Sequence, residues 1–340
     1  MKSFGLDIGA NSIKVIQLKS EKGKYGLLAF GMAPLPASLQ SESQADQQAI
    51  AEAIKKTLLG SGITIKGAVL ALPESQVFSR VIEIPPLSEA ELKSAIKWEA
   101  EQYIPIPLEE ANLDYQVIKM PPKEATEKKM EVFLVAAPKN LVGKYLKILK
   151  MVGVQPLALE TELISVCRAL VGKAEEEKHS LVINIGSLSS DLAITRGDQI
   201  VYTRSIPTGG NALARAIARE LNLEVSQAEE YKKSYGLDEE KLEGKVRAAI
   251  KPIFDVVVDD VKKAIIFYQE KEKVKLENAF LSGGTAKLPG VITYLANVLG
   301  LEVQVGDPFV DVICDEKQKV ELGDDAPLFT TAVGLAMKRV

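Results

Sequence analysis

Two glycine-turn hairpins, half a chain apart, constrain this sequence more than any other feature. Residues Gly5 to Leu18 read GLDIGANSIKVIQL. Leu6 and Ile8 alternate with Asp7 as in a strand, Gly9-Ala10-Asn11-Ser12 turns the chain, and Ile13, Val15 and Ile16 resume an apolar strand. Residues Leu181 to Ile194, LVINIGSLSSDLAI, repeat the plan, with Ile183-Asn184-Ile185-Gly186 standing for Leu6-Asp7-Ile8-Gly9 and Ser187, Ser189 and Ser190 filling the turn. Each copy leads to a third strand, over Gly26–Ala33 and Gln199–Ile206, and to a helix, near Ala45–Leu59 and Asn211–Leu221. One such hairpin is only a turn; two predict a duplicated α/β chain presenting both turns to one cleft.

Turns of this kind suit phosphate. Glycine lets backbone N–H groups approach a ligand closely, Ser12 and Lys14 add a hydroxyl and a cation, and Asp7 can hold the water shell of Mg²⁺. The 340 residues allow two core-bearing domains, and a hydrophobic share of 46% fits a globular chain. A net charge of -4 gives no reason to expect nucleic acid. Cys167 and Cys314 form neither a disulfide framework nor a CxxC site, which points to a reducing compartment. With no signal peptide and no long apolar run, the expectation is a cytoplasmic protein without direct membrane insertion.

Taken in order, the first unit continues through a strand at Ala68–Leu72, which Pro73 ends. An alternating run, Val77–Ile84, precedes Ser88-Glu89-Ala90-Glu91, a capping box opening a helix to about Tyr103. Strands near Leu113–Ile118 and Met130–Ala136 flank a loop, Pro121–Lys129, and are followed by a helix at Lys139–Val152, a strand at Gln155–Leu159 and a helix to Leu170. Polar Gly172–His179 joins the halves. In the second unit Gly209-Gly210 precedes a helix whose N-terminus can meet a phosphate. A second Ser-x-x-Glu box is expected at Ser226–Glu229, and a long helix over Glu239–Lys271, kinked or broken near Pro252. Strand Asn278–Leu281 ends in Gly283-Gly284-Thr285, a bare-backbone turn that suits a flat ring. A helix to Leu299, a strand at Glu302–Val305 and a helix at Pro327–Lys338 close the chain. The domains are then 1–73 with 153–178, an insertion 74–152, 179–222 with 274–340, and a helical excursion 223–273.

Plainer readings stand beside these. Glu229 can complete its capping box, Glu160 and Glu162 can complement a helix dipole, and Trp98 and Tyr103 can be core of the insertion. With His179, in a charged linker, as the only histidine, the sequence gives little support to a Ser-His-Asp hydrolase, and neither a GxxxxGK[ST] nor a GxGxxG motif occurs.

In order, GLDIGANSIK, VINIGSLSS, GGN with AEEYKKSYG, and LSGGTAKLPG resemble the phosphate and adenosine motifs of the actin-like ATPases, in the branch near the cell-division protein FtsA. More narrowly, ELKSAIKWEAEQYIPIPLEEANLDYQV at Glu91–Val117 resembles the signature of the PilM family of type IV pilus assembly. The resemblance implies an actin-like ATPase fold, two duplicated RNase H-like domains with an FtsA-type inserted subdomain, and ATP or ADP with Mg²⁺ in the interdomain cleft. It implies metal-side positions at Asp7 and Asn184, acting through water, and nucleotide contacts at Gly9, Ala10, Asn11, Ser12, Lys14, Gly186, Ser187, Ser189, Gly209, Gly210, Glu229, Lys232, Gly283, Gly284 and Thr285. Glu160 or Glu162 would polarise the attacking water. Where much of the superfamily has Asp, Asn184 carries no charge, which implies a weak ATPase at most. The implied partners are the cytoplasmic tail of PilN, held between the insertion and the first domain, and other inner-membrane and motor components of the pilus machine. Val77–Ile84 and the Trp98–Tyr103 helix are the candidate tail contacts. Two alternatives stay open: a small-molecule kinase of the same superfamily, and an FtsA-like polymer former, which would end in a linker and an amphipathic helix.

Overall fold

The computed structural model describes residues 2–21, 23–121, 129–172 and 178–340. Strands β1 (Ser3–Ile8), β2 (Ser12–Glu21) and β3 (Lys24–Pro34) form an antiparallel meander. Helix α1 (Gln44–Gly60), whose first turn is capped by the Ser43 hydroxyl, returns the chain to β4 (Gly67–Leu72), parallel to β1. The chain then leaves this sheet for β5 (Phe78–Ile84), α2 (Glu89–Glu101), β6 (Ala111–Lys119) and β7 (Met130–Pro138) before α3 (Lys139–Val152), β8 (Gln155–Thr161) and α4 (Glu162–Leu170). The second half runs β9 (His179–Ile185), β10 (Ser190–Arg196), β11 (Gln199–Ile206), α5 (Gly210–Leu221), α6 (Val225–Tyr235), α7 (Lys245–Glu272), β12 (Asn278–Ser282), α8 (Val291–Leu299) and β13 (Glu302–Val305). Short β14 (Val312–Ile313), α9 (Glu316–Leu322) and α10 (Thr330–Met337) end the chain.

The duplication is visible in the sheets. One has the order β14-β3-β2-β1-β4-β8 and the other β11-β10-β9-β12-β13, so that β3-β2-β1-β4-β8 and β11-β10-β9-β12-β13 are the same arrangement. In each, a meander is continued by parallel strands reached through helices, whose apolar stripes cover the sheet faces. Phe4, Leu6 and Val15 pack on Ile50 and Ile54 of α1 in the first half. Leu181, Ile183 and Leu192 pack on Ile217 of α5 and Phe254 of α7 in the second.

Two domain boundaries differ from those drawn on sequence. The inserted sheet, order β5-β7-β6, has its own core of Ile82, Ile84, Leu92, Ile96, Met130 and Leu134. Helix α3, assigned to the insertion, instead buries Tyr145, Ile148 and Leu149 against α1 and β1, so the inserted unit ends at Pro138. Each of those side chains contributes about 2 kcal/mol by leaving water, which holds α3 to the first half. The chain's end likewise returns to the first half. β14 pairs in parallel with β3, and Phe329, Ala332, Val333 and Met337 bury against Ile16 and Leu27. Helix α10 crosses α4 so closely that a Cβ on Gly334 would lie 1.8 Å from the Ser165 carbonyl oxygen.

Local expectations were met unevenly. Ser88 and Glu91 form their capping box. At α6 the box is built by Glu224 and Gln227 rather than Ser226 and Glu229, so the helix starts two residues earlier. Helix α7 runs unbroken through Pro252, because Ile250, Phe254, Val257 and Val258 stay buried on one face and offset the lost hydrogen bond. The break falls before it, where Leu242 and Glu243 take positive φ of 47° and 55°. The last helix begins at Thr330 after a 3-10 segment, and the sequence reading missed β14 and also α9, whose start is marked by a capping box of Asp315 with Gln318. The expected loop at Pro121–Lys129 lies mostly outside the described residues.

Candidate functional site

Both glycine turns close in the same way. The Gly9 N–H donates to the Ser12 carbonyl at 2.9 Å, and the Gly186 N–H to the Ser189 carbonyl at 2.9 Å. The register then pairs Asp7 with Lys14 across β1 and β2, and Asn184 with Asp191 across β9 and β10. The turns face each other over a cavity of about 210 Å³, lined among others by Asp7, Gly9, Ala10, Asn11, Ser12, Lys14, Asn184, Gly186, Ser187, Ser189, Gly283 and Gly284. At its mouth the Asn11 side-chain amide donates to Asn211 Oδ1 at 3.3 Å, joining the halves directly. A larger cavity, about 690 Å³, lies beside Ile164 and Cys167 of α4 and contains none of the turn residues.

Charge in the cleft is mostly negative and mostly buried. Lys14 Nζ lies 3.0 Å from Asp7 Oδ2, both side chains out of water. Asp191, which the sequence reading passed over, lines the same cavity; burial pushes its carboxyl up to about 7, against hydrogen bonds from the Ser205 and Ser189 hydroxyls. It stands on the second hairpin where Lys14 stands on the first, a spacing readable from the two aligned copies. Of the two candidate acids, Glu162 reaches the cavity. Burial, then the Asp191 and Asp7 charges, raise its carboxyl well above the usual range. Glu160 does not reach it: it stands on β8 and turns onto Arg168 through both its oxygens and onto Lys338 at 3.0 Å, whereas Glu162 opens α4, where the change from strand to helix redirects its side chain to the cavity. Held by Arg168 and Lys338 outside the cavity, Glu160 is not in place to polarise a water there. Glu74 was also missed; it is buried beside Glu162, to whose Oε2 its N–H donates at 3.4 Å.

The remaining sequence candidates form a wall next to the cavity. Gly209 packs on the second turn so tightly that a Cβ there would meet the Gly186 carbonyl oxygen at 2.7 Å. The N–H groups of Gly210 and Asn211 are spent on the Gly186 and Ser187 carbonyls, each at 2.9 Å. The start of α5 thus braces the turn instead of presenting those donors to a phosphate. Lys232 Nζ bonds the Gly210 carbonyl at 3.1 Å and Glu229 at 2.7 Å, and a Cβ on Gly210 would touch both Lys232 and Thr285. Gly283, at φ 83°, passes the end of β9 where a Cβ would lie 2.5 Å from the Ile185 carbonyl. Nowhere among the described residues do three His, Cys, Asp or Glu side chains converge tightly enough to hold a metal directly. Asp7 and Asn184, both lining the cavity, are the side-chain oxygens there that could accept from a metal-bound water.

Two sheets of one order, with facing phosphate-type turns and α4 and α10 crossing between them, define an actin-like ATPase fold. A family model described as type IV pilus assembly protein PilM matches residues 5–340, and the chain belongs to this family. It is similar to the solved PilM-PilN type IV pilus biogenesis complex at 29% identity and a TM-score of 0.87, over 99% of this chain and 98% of that one. Cell division protein FtsA of Streptococcus pneumoniae is 24% identical over 89% of this chain and 75% of its own length. MreB5 of Spiroplasma citri, solved with ADP, shares the fold at 14% identity and a TM-score of 0.51, over 98% and 94% of the two chains.

Proposed function

We propose that the protein is a nucleotide-responsive component of the type IV pilus inner-membrane machine, cytoplasmic and held at the membrane by protein partners. ATP or ADP with Mg²⁺ binds between the halves and sets their closure. The observation that carries this is the facing pair of turns, each closed by the same glycine-to-serine hydrogen bond, with a buried cation, Lys14, lining the cavity between them. MreB5, which shares the fold, was solved with ADP. Phosphate would draw Lys14 from Asp7, Gly283, Gly284 and Thr285 would back the adenine, and Gly209, Gly210, Glu229 and Lys232 would border the ribose side. Glu162 is the acid placed to orient a water, and uncharged Asn184 keeps hydrolysis weak. Among the described residues no helix is long and apolar enough to cross a membrane.

The partner tail has a groove. A cavity of about 470 Å³ lies between the inserted sheet and the first half, walled by Leu113, Val135, Val142, Leu159 and Ile164, with Arg168 and Lys338 at one end. Strands β6 and β8 are the outer strands of their sheets on this side, so an extended tail finds both apolar pockets and unpaired backbone. The similarity to the PilM-PilN complex supports the N-terminal tail of PilN as the occupant. Neither sequence candidate lines this groove. β5 turns toward β11, Trp98 is 75% exposed on α2, and Tyr103 sits under the Arg80 guanidinium at 5.2 Å. Calorimetry with a PilN-tail peptide should show a loss of tenfold or more for Val135→Glu and Val142→Glu, with Mg·ATP affinity intact. Unchanged peptide affinity in both would remove this groove as the partner site.

A further inference from the structure

Glu74 sits where three parts of the molecule meet. It opens a 3-10 turn, Glu74–Gln76, just beyond β4, and is 3% exposed, although a charged residue in a surface turn ordinarily faces water. Its carboxyl is engaged on two sides: Ser79 of β5 donates its hydroxyl to Oε1, and the Leu163 N–H, in the first turn of α4, donates to Oε2 at 3.4 Å. Its own N–H holds Glu162 Oε2 at 3.4 Å. Thr203 of β11 continues the chain of contacts, donating to the Ser79 carbonyl at 2.9 Å with its Oγ1 3.2 Å from Ser79 Oγ. A continuous path therefore runs from the second half, through the edge of the inserted sheet, to the acid on the cleft. Burying a carboxyl costs several kcal/mol unless its partners repay it, so a glutamate kept at this junction calls for a role beyond filling space.

We propose that Glu74 is a positioning residue for Glu162, and that the Ser79–Thr203 contact ties the placement of Glu162 to how the second half docks on the inserted sheet. The proposal rests on the reading of Glu162 as the cleft acid. Thr203 moves with β11 and Glu162 with α4, so closing or opening the halves reaches Glu162 through Glu74 before any ligand touches it.

The test is a ¹³C-carboxyl NMR titration of Glu162 in the nucleotide-free protein. The groups facing Glu162 are Asp191 on β10, Asp7 on β1 and Glu74 itself. Thr203→Val changes no charge, so a shift it causes must travel through Ser79 and Glu74. The expected result is a midpoint moved by about half a pH unit or more, with no movement when Thr203→Val is made on a Glu74→Ala background. Ser79→Ala breaks the same path and serves as background if Glu74→Ala does not fold. A midpoint unmoved by Thr203→Val, or a shift that persists on either background, overturns the proposal. Calorimetry of the wild type with Mg·ATP is run in parallel. Absence of binding there would sink the nucleotide reading, while the titration, done without nucleotide, would still decide the role of Glu74.

Discussion

Asn184 and Asp191 face each other across β9 and β10 in the register positions that Asp7 and Lys14 hold across β1 and β2. The first hairpin therefore carries a compensated ion pair and the second a neutral amide beside a buried acid. Asn184→Asp sets two carboxyls opposite each other with no cation between them. Like charges paired this way destabilise, and in buried surroundings the cost is on the order of 1–3 kcal/mol. The variant should melt several degrees below wild type without metal and recover part of that loss when Mg·ATP is added, since a cation bound only to the folded state stabilises it. Thermal scans with and without Mg·ATP check this; equal melting temperatures in both proteins under both conditions would place Asn184 away from the metal.

Gly283 and Gly284 are adjacent and should fail differently. A Cβ on Gly283 meets backbone at 2.5 Å and the residue has positive φ, whereas a Cβ on Gly284 meets only Leu328 Cδ2 at 3.8 Å. Gly283→Ala should lose about 2 kcal/mol or more of folding stability. Gly284→Val should leave the melting temperature near wild type and weaken ATP binding by tenfold or more, because its side chain enters the cleft. Matched calorimetry and thermal melts separate the two, and a Gly284→Val protein that binds ATP normally would move the adenine elsewhere.

Glu162 gives a pH dependence with a definite sign. Burial raises its carboxyl well above the ordinary value near 4.5. Stability from such a group is fully present below that ordinary value and is lost as pH rises toward the raised one. Glu162→Gln mimics the protonated acid at every pH. The nucleotide-free variant should therefore be more stable than wild type at pH 8, with the gap closing as pH falls toward 4. A gap that is constant from pH 4 to 8, or that has the opposite sign, would show that Glu162 is ionised in the cleft.

The boundary at Pro138 also makes a prediction. Replacing residues 77–138 by a short linker should leave a protein that is folded, because most of the inserted sheet's apolar side chains form their own core, but less stable than wild type, since Ile118 and Phe133 no longer cover Leu163, Val182 and Ala193. Replacing 74–152 should not, since it removes Tyr145, Ile148 and Leu149 from the first core, where loss of large buried side chains costs about 2–5 kcal/mol each. Circular dichroism melts of the two deletions decide between the boundaries.

What the sequence determined by itself was whatever is local or repeated. The two turns, their third strands and the Ser88 capping box are set by glycine, by alternation and by a hydroxyl three residues before a carboxylate, and all were legible along the chain. The second-hairpin acid was legible too, since Asp191 follows Gly186 as Lys14 follows Gly9, but a change from cation to acid hid the correspondence. The choice between Glu160 and Glu162 was not. It depends on where β8 gives way to α4, between Thr161 and Glu162, and on how Leu163 and Val166 then pack against Val182 and Ala193, residues near in space and farther along the chain. The homes of α3 and α10 were equally out of reach, because an amphipathic helix records only that it buries one face. Which sheet receives that face was decided by tertiary packing, where α1, β1 and the crossing at Gly334 left the complementary surfaces open.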